Sequence, residues 1–177
     1  MNNLILLRHG QSQWNLENRF TGWEDVPLTD QGIKEAKIAG QLMLKKNVSF
    51  DVIFSSVLQR ANKTAELVVK EMNLDEFWEN NKLIMTCDQS LNERDYGNLV
   101  GLNKKETANK YGKDQVHKWR RSYDIAPPGG ESLQNVVQRV KPYFIKYIEP
   151  ELNKDKNVLI VAHGNSLRAL MIQVGLY

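Results

Sequence analysis

Two short apolar runs, one near each end of the chain, are each followed by a His-Gly pair. The first run, residues 4–7, leads into Arg8-His9-Gly10, and the second, residues 158–161, leads into Ala162-His163-Gly164. A short run of branched apolar residues in polar surroundings indicates a strand buried on both faces, as in a parallel sheet covered by helices. Ligands of such sheets bind at the edge where the strands end. Because the chain contains only three histidines, we expect that edge to carry a site built on two of them.

The sequence between these runs alternates between helix-like and strand-like segments, which predicts an α/β fold. Thr29-Asp30 has the residue types of a helix N-cap, as does Ser132. Pro142 is expected to kink the helix that Ser132 begins, because it removes one hydrogen bond. The predicted segments are a loop at 11–27, helices at 29–46 and 58–72, strands at 51–54 and 83–86, an irregular region at 91–121 with a helical piece at 104–110, a break at 127–130, and a last helix at 166–173.

Length and composition exclude several classes of protein. The 177 residues suffice for one domain with a full core. The net charge of +3 is compatible with a small anionic substrate, but no block of basic and aromatic residues indicates nucleic acid. No apolar run approaches the roughly 18 residues of a membrane span, and no basic region followed by a long apolar run opens the chain, so we expect a cytoplasmic protein. Cys87, the only cysteine, is expected to be a reduced and mostly buried thiol.

The first His-Gly pair has the residue types that phosphoryl transfer requires. A neutral imidazole at His9 can attack phosphorus. The Arg8 guanidinium can bind phosphate oxygens through its planar fork of donors, and Gly10 lets the backbone pass close to a phosphate. The tripeptide alone is weak evidence, and a buried structural histidine is the stronger explanation when it is taken by itself.

The second pair opens a predicted helix, whose first backbone N–H groups and positive dipole end would face the same place. His163 could therefore donate a hydrogen bond to a phosphoryl oxygen and stabilise charge that develops in the transition state. The alternative is a core histidine followed by an ordinary helix cap at Asn165 or Ser166. The pair of histidines leaves both interpretations open.

Further charged residues favour the phosphoryl-transfer interpretation. Arg60 follows the predicted strand at 51–54 closely enough to lie near the same edge, and Arg120-Arg121 precedes the Pro/Gly break. A multiply charged phosphate ester binds several cationic donors at once, although solvation explains any one surface arginine. A carboxylate in residues 91–97 could transfer a proton to or from a substrate hydroxyl, and a surface ion pair would explain that segment equally well.

Taken together, the motifs of this chain resemble those of the histidine phosphatase superfamily and, within it, of the cofactor-dependent phosphoglycerate mutases. The similar motifs occur in the family's order and span nearly the whole chain. Arg-His-Gly alone resembles only the superfamily, whereas the block from Leu91 to Lys104 followed by Trp-Arg-Arg resembles the mutases. The motifs are LLRHGQSQWN at 6–15, NRFTGW at 18–23, LNERDYG at 91–97, GLNK at 101–104, WRR at 119–121 and AHGNSLRAL at 162–170.

The resemblance implies a three-layer α/β/α sandwich with a mostly parallel sheet and a phosphoryl transfer primed by 2,3-bisphosphoglycerate, without a metal. His9 would carry the phosphoryl group, with its other ring nitrogen held by a backbone carbonyl, and Glu93 would be the acid and base on the substrate hydroxyl. The residues implied around the transferring group are Arg8, Arg60, His163, Asn15, Gly164 and Asn165. Those implied for the substrate's carboxylate and second phosphate are Tyr96, Lys104, Arg120 and Arg121. The remaining implied substrate-binding positions are Gly10, Gln11, Ser12, Thr21, Gly22 and Arg94.

The resemblance also implies small phosphorylated three-carbon acids as partners, and a homodimer or homotetramer. Two features depart from the family's pattern: the stretch between Arg121 and Glu131 is short, and the chain ends soon after the last predicted helix begins. We therefore expect a single domain over 1–177 that lacks the family's C-terminal segment. An open site would admit water to a phosphohistidine, so a phosphatase or a non-catalytic phosphoester-binding module stays an alternative to the mutase.

Overall fold

The computed structural model describes residues 2–176, and four strands in that range form one parallel sheet. The strands are β1 (Leu4–Arg8), β2 (Val52–Ser55), β3 (Trp78–Glu79), β4 (Lys82–Leu83), β5 (Thr86–Cys87) and β6 (Val158–Ala162). The sheet has the order β1-β6-β2-β5 with every pair parallel, whereas β3 and β4 form a separate antiparallel hairpin. The first and last strands in the sequence are therefore neighbours in the sheet.

Helices cover both faces of this sheet, which confirms the predicted three-layer architecture. The helices are α1 (Gln13–Leu16), α2 (Asp30–Lys45), α3 (Gln59–Glu71), α4 (Lys104–Tyr111), α5 (Lys113–Arg121), α6 (Leu133–Tyr143), α7 (Glu149–Leu152) and α8 (Gly164–Gln173). Alternate residues of β6 point to opposite layers: Val158 and Ile160 pack with α6 and α8, and Leu159 and Val161 pack with α3. Because both faces are covered, β6 is apolar at every position and fully buried.

Two helices begin at the predicted caps. The Thr29 hydroxyl accepts a hydrogen bond from the Gly32 N–H at 3.1 Å, and α2 follows it. The Ser132 hydroxyl accepts one from the Asn135 N–H at 3.1 Å and begins α6. Side-chain oxygens at these positions satisfy backbone donors that have no partner within the helix. Pro142 lies in the last turn of α6, and a π-helical turn over Phe144–Ile148 follows it at once.

Three expectations about local structure were wrong. The single strand predicted at 83–86 is divided between β4 and β5: β4 pairs with β3 across a turn at Asn80 and Asn81 (φ 49° and 61°), whereas β5 pairs with β2 in the sheet. Cys87 is exposed, since β5 is the edge strand of the sheet. The helical piece predicted at 104–110 is present as α4, but the rest of the region to 121, expected to be irregular, contains a second helix, α5.

The loop after β1 packs directly against the first turn of α2. A Cβ added to Gly10 would overlap the Gly32 carbonyl, and one added to Gly32 would overlap the backbone of Gln11. Backbone atoms on both sides leave no flexible group that could move aside. The absence of side chains at these two glycines therefore lets α2 support the loop that holds His9.

We expect Gly32→Ala to lower the free energy of unfolding by about 1–3 kcal/mol, because the added methyl group must displace backbone. Urea unfolding followed by circular dichroism measures this change. The control is Gln31→Ala, at the neighbouring exposed position of α2, which is expected to stay within about 0.5 kcal/mol of the parent chain. Equal unfolding free energies for the two variants would contradict the close-packing argument.

Candidate active site

The register of β1 and β6 brings the two histidines together at the carboxyl edge of the sheet. Arg8 is paired with Ala162, so His9 and His163 are the next residues along the two strands. The His9 N–H donates to the Ala162 carbonyl at 3.1 Å, which continues the pairing by one step. The two imidazole centroids lie 4.9 Å apart. The structure therefore unites the two residues that the sequence analysis expected to meet.

His9 is held as a neutral imidazole. Its Nδ1 lies 2.6 Å from the Gly10 carbonyl, so Nδ1–H donates to that oxygen, as expected, and the lone pair is on Nε2. Burial lowers the pKa of His9 to about 3, with the positive charges of Arg60 and Arg8 acting in the same direction and the Gly10 carbonyl opposing them. An unprotonated ring nitrogen beside arginines is suited to attack an anionic electrophile.

His163, whose ring centroid lies 4.9 Å from that of His9, is fully buried. Its Nε2 is 2.7 Å from the Ser56 hydroxyl, which itself accepts the Leu58 N–H at 3.2 Å. Among the described residues Nδ1 has no hydrogen-bond partner. Burial, followed by the nearby His9 and Arg60, holds the pKa of His163 well below its usual value. A neutral His163 that receives the Ser56 proton at Nε2 would carry its own proton on Nδ1.

Glu93 lies in the irregular segment that follows a 3-10 turn at Gln89–Leu91. Its Oε1 accepts three hydrogen bonds: from the Arg94 N–H at 2.8 Å, the Asn165 N–H at 3.1 Å and the Asn165 side-chain amide at 3.0 Å. Asn165 belongs to the first turn of α8, so the start of that helix fixes one carboxylate oxygen. The other oxygen, Oε2, takes part in none of these three hydrogen bonds.

These groups line a cavity of about 310 Å³, a size suited to a small ligand. Six cationic side chains and one carboxylate contribute to the lining, so its charge favours a multiply anionic ligand. The lining residues are Arg8, His9, Asn15, Arg19, Thr21, Gly22, Arg60, Glu93, Tyr96, Lys104, Arg121, Gly164, Asn165 and Arg168.

Two of the cations are placed by interactions within the protein. The guanidinium of Arg60, 1% exposed, donates to the carbonyls of Glu24 at 2.8 Å and Gly22 at 2.9 Å, which fixes its orientation. Lys104 has its ammonium 5.8 Å from the Phe20 ring centroid. Burial and the nearby charge of Arg120 lower the pKa of Lys104. The positive charges near Lys104 therefore disfavour its own charge, and a bound anion would reduce this repulsion.

Six predicted site residues within the described range lie outside the cavity lining. The Ser12 hydroxyl instead caps α1, accepting the Asn15 N–H at 3.4 Å, and the Gln11 side chain accepts a hydrogen bond from the cap of α2. Arg94 is 1% exposed and donates to the Arg120 carbonyl at 2.8 Å. Ser12 thereby contacts Asn15 of the lining, and Arg94 contacts Tyr96 of the lining, donating to its hydroxyl at 3.2 Å. The six residues are Gly10, Gln11, Ser12, Arg94, Arg120 and His163.

Three contributors were not singled out from the sequence. Arg19 and Arg168 line the cavity, although both belong to motifs quoted above, at 18–23 and 162–170. Ser56, which binds His163, follows β2 directly. For Arg19 and Arg168 the available signal was their position within these motifs, whereas Ser56 lies in none of them, and a serine after a strand does not by itself indicate a site.

No group of His, Cys, Asp or Glu within residues 2–176 is arranged to hold a metal ion. In the same range, none of the helices combines the length and apolar character needed to cross a membrane.

Comparison with known proteins shows the family. Residues 4–175 match the family model described as the histidine phosphatase superfamily (branch 1). A 2,3-bisphosphoglycerate-dependent phosphoglycerate mutase of Azorhizobium caulinodans is 54% identical over 169 residues, which are 96% of this chain and 79% of that protein. The mutase of the same name from Parvibaculum lavamentivorans is 52% identical over 173 residues, 98% of this chain and 80% of that protein.

Solved structures with the same fold include both a mutase and a phosphatase. The phosphoglycerate mutase of Bacillus anthracis superposes with a TM-score of 0.78 at 26% identity, covering 96% of this chain and 79% of that chain. A mycobacterial glucosyl-3-phosphoglycerate phosphatase, solved as a complex with VO3, superposes with a TM-score of 0.79 at 31% identity, covering 96% of this chain and 80% of that chain. The fold is thus common to proteins named for two different reactions.

We expect His9 to remain neutral throughout the range from pH 5 to 8, because its pKa is lowered to about 3. The unfolded chain takes up this proton near the ordinary value of about 6.5, so His9 makes stability fall as the pH drops from about 6.5 towards 3. Histidine-selective NMR titration, with His9→Gln to assign the resonances, measures the protonation. A midpoint near the ordinary value for His9 in the folded protein would contradict the buried, neutral assignment.

Proposed function

The chain belongs to the histidine phosphatase superfamily and, within it, to the 2,3-bisphosphoglycerate-dependent phosphoglycerate mutases, and we propose that it interconverts 3-phosphoglycerate and 2-phosphoglycerate. The observation that carries the proposal is a neutral His9 beside a cavity with six cations and one carboxylate. The nucleophile, the phosphate-binding groups and an acid-base group thus lie around one small space. The similarity to the named mutases extends over nearly all of this chain.

His9 would act first, as the nucleophile. Its Nε2 attacks phosphorus while the bond from phosphorus to the departing oxygen breaks, and Nδ1–H remains bound to the Gly10 carbonyl. Arg8 and Arg60 would neutralise the charge on the phosphoryl oxygens. His163 would add a donor through Nδ1, the ring nitrogen without a partner among the described residues. The 2,3-bisphosphoglycerate primer would supply the phosphoryl group.

Glu93 would move the proton in both directions. Once the primer has phosphorylated His9, the free hydroxyl of 3-phosphoglycerate would attack the phosphorus and the bond from phosphorus to Nε2 would break. Oε2, the oxygen not held by the three donors, would take the proton of that hydroxyl, and the product is a bound 2,3-bisphosphoglycerate. Nε2 would then take the phosphoryl group from the other position and Oε2 would return its proton to the departing oxygen, which leaves 2-phosphoglycerate, a phosphorylated His9 and the carboxylate in its starting state.

The groups farther from His9 would hold the rest of the substrate. Arg19, Lys104 and Arg121 line the same cavity and suit a carboxylate and a second phosphate. The Thr21 hydroxyl is buried and without a hydrogen-bond partner among residues 2–176, which leaves it free for a ligand oxygen. Binding both ends of a small acid would place one hydroxyl at a time beside His9.

A phosphatase that uses the same residues is the second candidate. The observation in its favour is the likeness in fold to the mycobacterial phosphatase. In that case water rather than a hydroxyl of the substrate would attack the phosphohistidine.

An enolase-coupled assay on 3-phosphoglycerate, with and without catalytic 2,3-bisphosphoglycerate, distinguishes the two candidates when released phosphate is followed in parallel. Turnover that depends on the bisphosphate, without matching phosphate release, supports the mutase. Phosphate release without isomerisation supports the phosphatase and overturns the mutase.

His9→Ala is expected to abolish transfer of label from radioactive 2,3-bisphosphoglycerate to the protein, because it removes the attacking nitrogen. Rapid quenching in base, which preserves phosphohistidine, measures the labelled fraction. The control is His117→Ala, an exposed histidine on α5, which should label like the parent chain. Persistent labelling of His9→Ala would place the nucleophile elsewhere.

Glu93→Gln is expected to lower kcat for the isomerisation by about a hundredfold or more, since the amide accepts the same hydrogen bonds at Oε1 but cannot transfer the proton. Its thermal unfolding should stay close to that of the parent chain, because no apolar contact changes. Turnover is followed in the coupled assay. A variant that turns over at the rate of the parent chain would remove Glu93 from the mechanism.

A further inference from the structure

Arg139, on α6, lies outside the cavity lining yet binds the backbone that carries Glu93. Its Nη1 donates to the Ser90 carbonyl at 2.7 Å, and its Nη2 lies at donor distance from the carbonyls of Asn92, at 3.0 Å, and Glu93, at 2.9 Å. One side chain thus holds three carbonyls of a single short segment.

Glu131 holds the guanidinium in place from the other side. Arg139 Nε and Nη2 donate to its two carboxylate oxygens at 2.8 and 2.9 Å, a paired geometry that fixes the plane of the guanidinium. The same carboxylate accepts the Asp95 N–H at 2.9 Å, and the Glu131 N–H donates to the Asp95 carbonyl at 2.8 Å. The Arg139–Glu131 pair therefore binds the backbone on both sides of Glu93, at Asn92 and at Asp95.

The Glu93 carbonyl has a second donor. Trp23 Nε1–H donates to it at 2.7 Å, and the guanidinium carbon of Arg139 lies 5.6 Å from the Trp23 ring centroid. Between Asn92 and Tyr96 the chain belongs to no helix or strand. Because no regular backbone pairing fixes this segment, its position depends on side-chain hydrogen bonds such as these.

We propose that Arg139 is a positioning residue for the acid-base step, acting through the main chain of Glu93. It holds the Glu93 backbone so that Oε1 meets its donors on Arg94 and Asn165 and Oε2 stays beside the reacting oxygen. This inference rests on the proposed function, because it assigns Arg139 to the proton transfer of that reaction. Lysine cannot replace arginine here, since a single ammonium lacks the planar fork that reaches Glu131 and the carbonyls together.

A double-mutant cycle tests the proposal. Arg139→Lys alone is expected to lower kcat in the coupled assay by about tenfold to a hundredfold, with a much smaller change in KM, because a displaced carboxylate transfers the proton poorly. In the Glu93→Gln background the same substitution should lower kcat by less than about twofold, because the group that Arg139 positions is already inactive. An equal loss in both backgrounds, or no loss in either, would overturn the proposal.

Glu131→Gln provides a second, milder variant if Arg139→Lys folds poorly. It keeps an acceptor for the Asp95 N–H and weakens only the pairing with Arg139, so a smaller loss of kcat that also vanishes in the Glu93→Gln background is expected. Lys141→Gln, an exposed basic residue near the end of α6, is the matched control and should leave kcat unchanged. Thermal unfolding of every variant verifies that folded protein is compared.

The outcomes separate this inference from the proposed function. If the parent chain shows no isomerisation that depends on 2,3-bisphosphoglycerate, the proposed function fails. The parent chain could instead isomerise its substrate while Arg139→Lys lowers kcat by the same factor in the parent and in the Glu93→Gln background. In that case only the positioning role fails.

Discussion

The parallel pairing of β1 with β6 is the interaction on which the site depends. It aligns Arg8 with Ala162 and so places His9 and His163 side by side at one edge of the sheet. A slip of β1 by one residue would turn its side chains to the opposite face and separate the imidazoles. The helix layers on both faces of β6 prevent such a slip, because every residue of that strand is packed. The closeness of His9 and His163 therefore follows from the pairing register of β1 and β6.

The electrostatics of the site follow from that location. Burial disfavours a charged imidazole, and the arginines that suit phosphate oxygens disfavour it further, so both effects lower the pKa of His9. The cations that would bind the substrate thus also keep His9 unprotonated. The Gly10 carbonyl then decides which ring nitrogen carries the proton. The lowered pKa of His9 thus keeps its imidazole unprotonated at neutral pH and, for the same reason, makes the folded protein less stable in acid.

The sequence predicts the parts of this molecule that depend on local patterns. Apolar runs mark β1 and β6, and the cap at Thr29 marks the start of α2. The role of Arg139 could not be predicted in this way, because its carbonyl acceptors lie 46 to 49 residues away in the chain and a polar position on an amphipathic helix ordinarily faces water. The position of Cys87 was missed because the sequence does not show which strand lies at the edge of the sheet.

Solved structures of this fold include proteins named as a mutase and as a phosphatase, so the fold alone does not decide which acceptor is used. In the proposed reaction that choice depends on how well a substrate hydroxyl competes with water for the phosphohistidine. Lys104 and Arg121 would favour the hydroxyl, because binding the far end of the acid would raise its effective concentration at the reacting phosphorus. Glu93 would favour it only while Oε2 stays within reach of that hydroxyl. By holding Glu93 in place, Arg139 would therefore favour transfer to substrate over transfer to water.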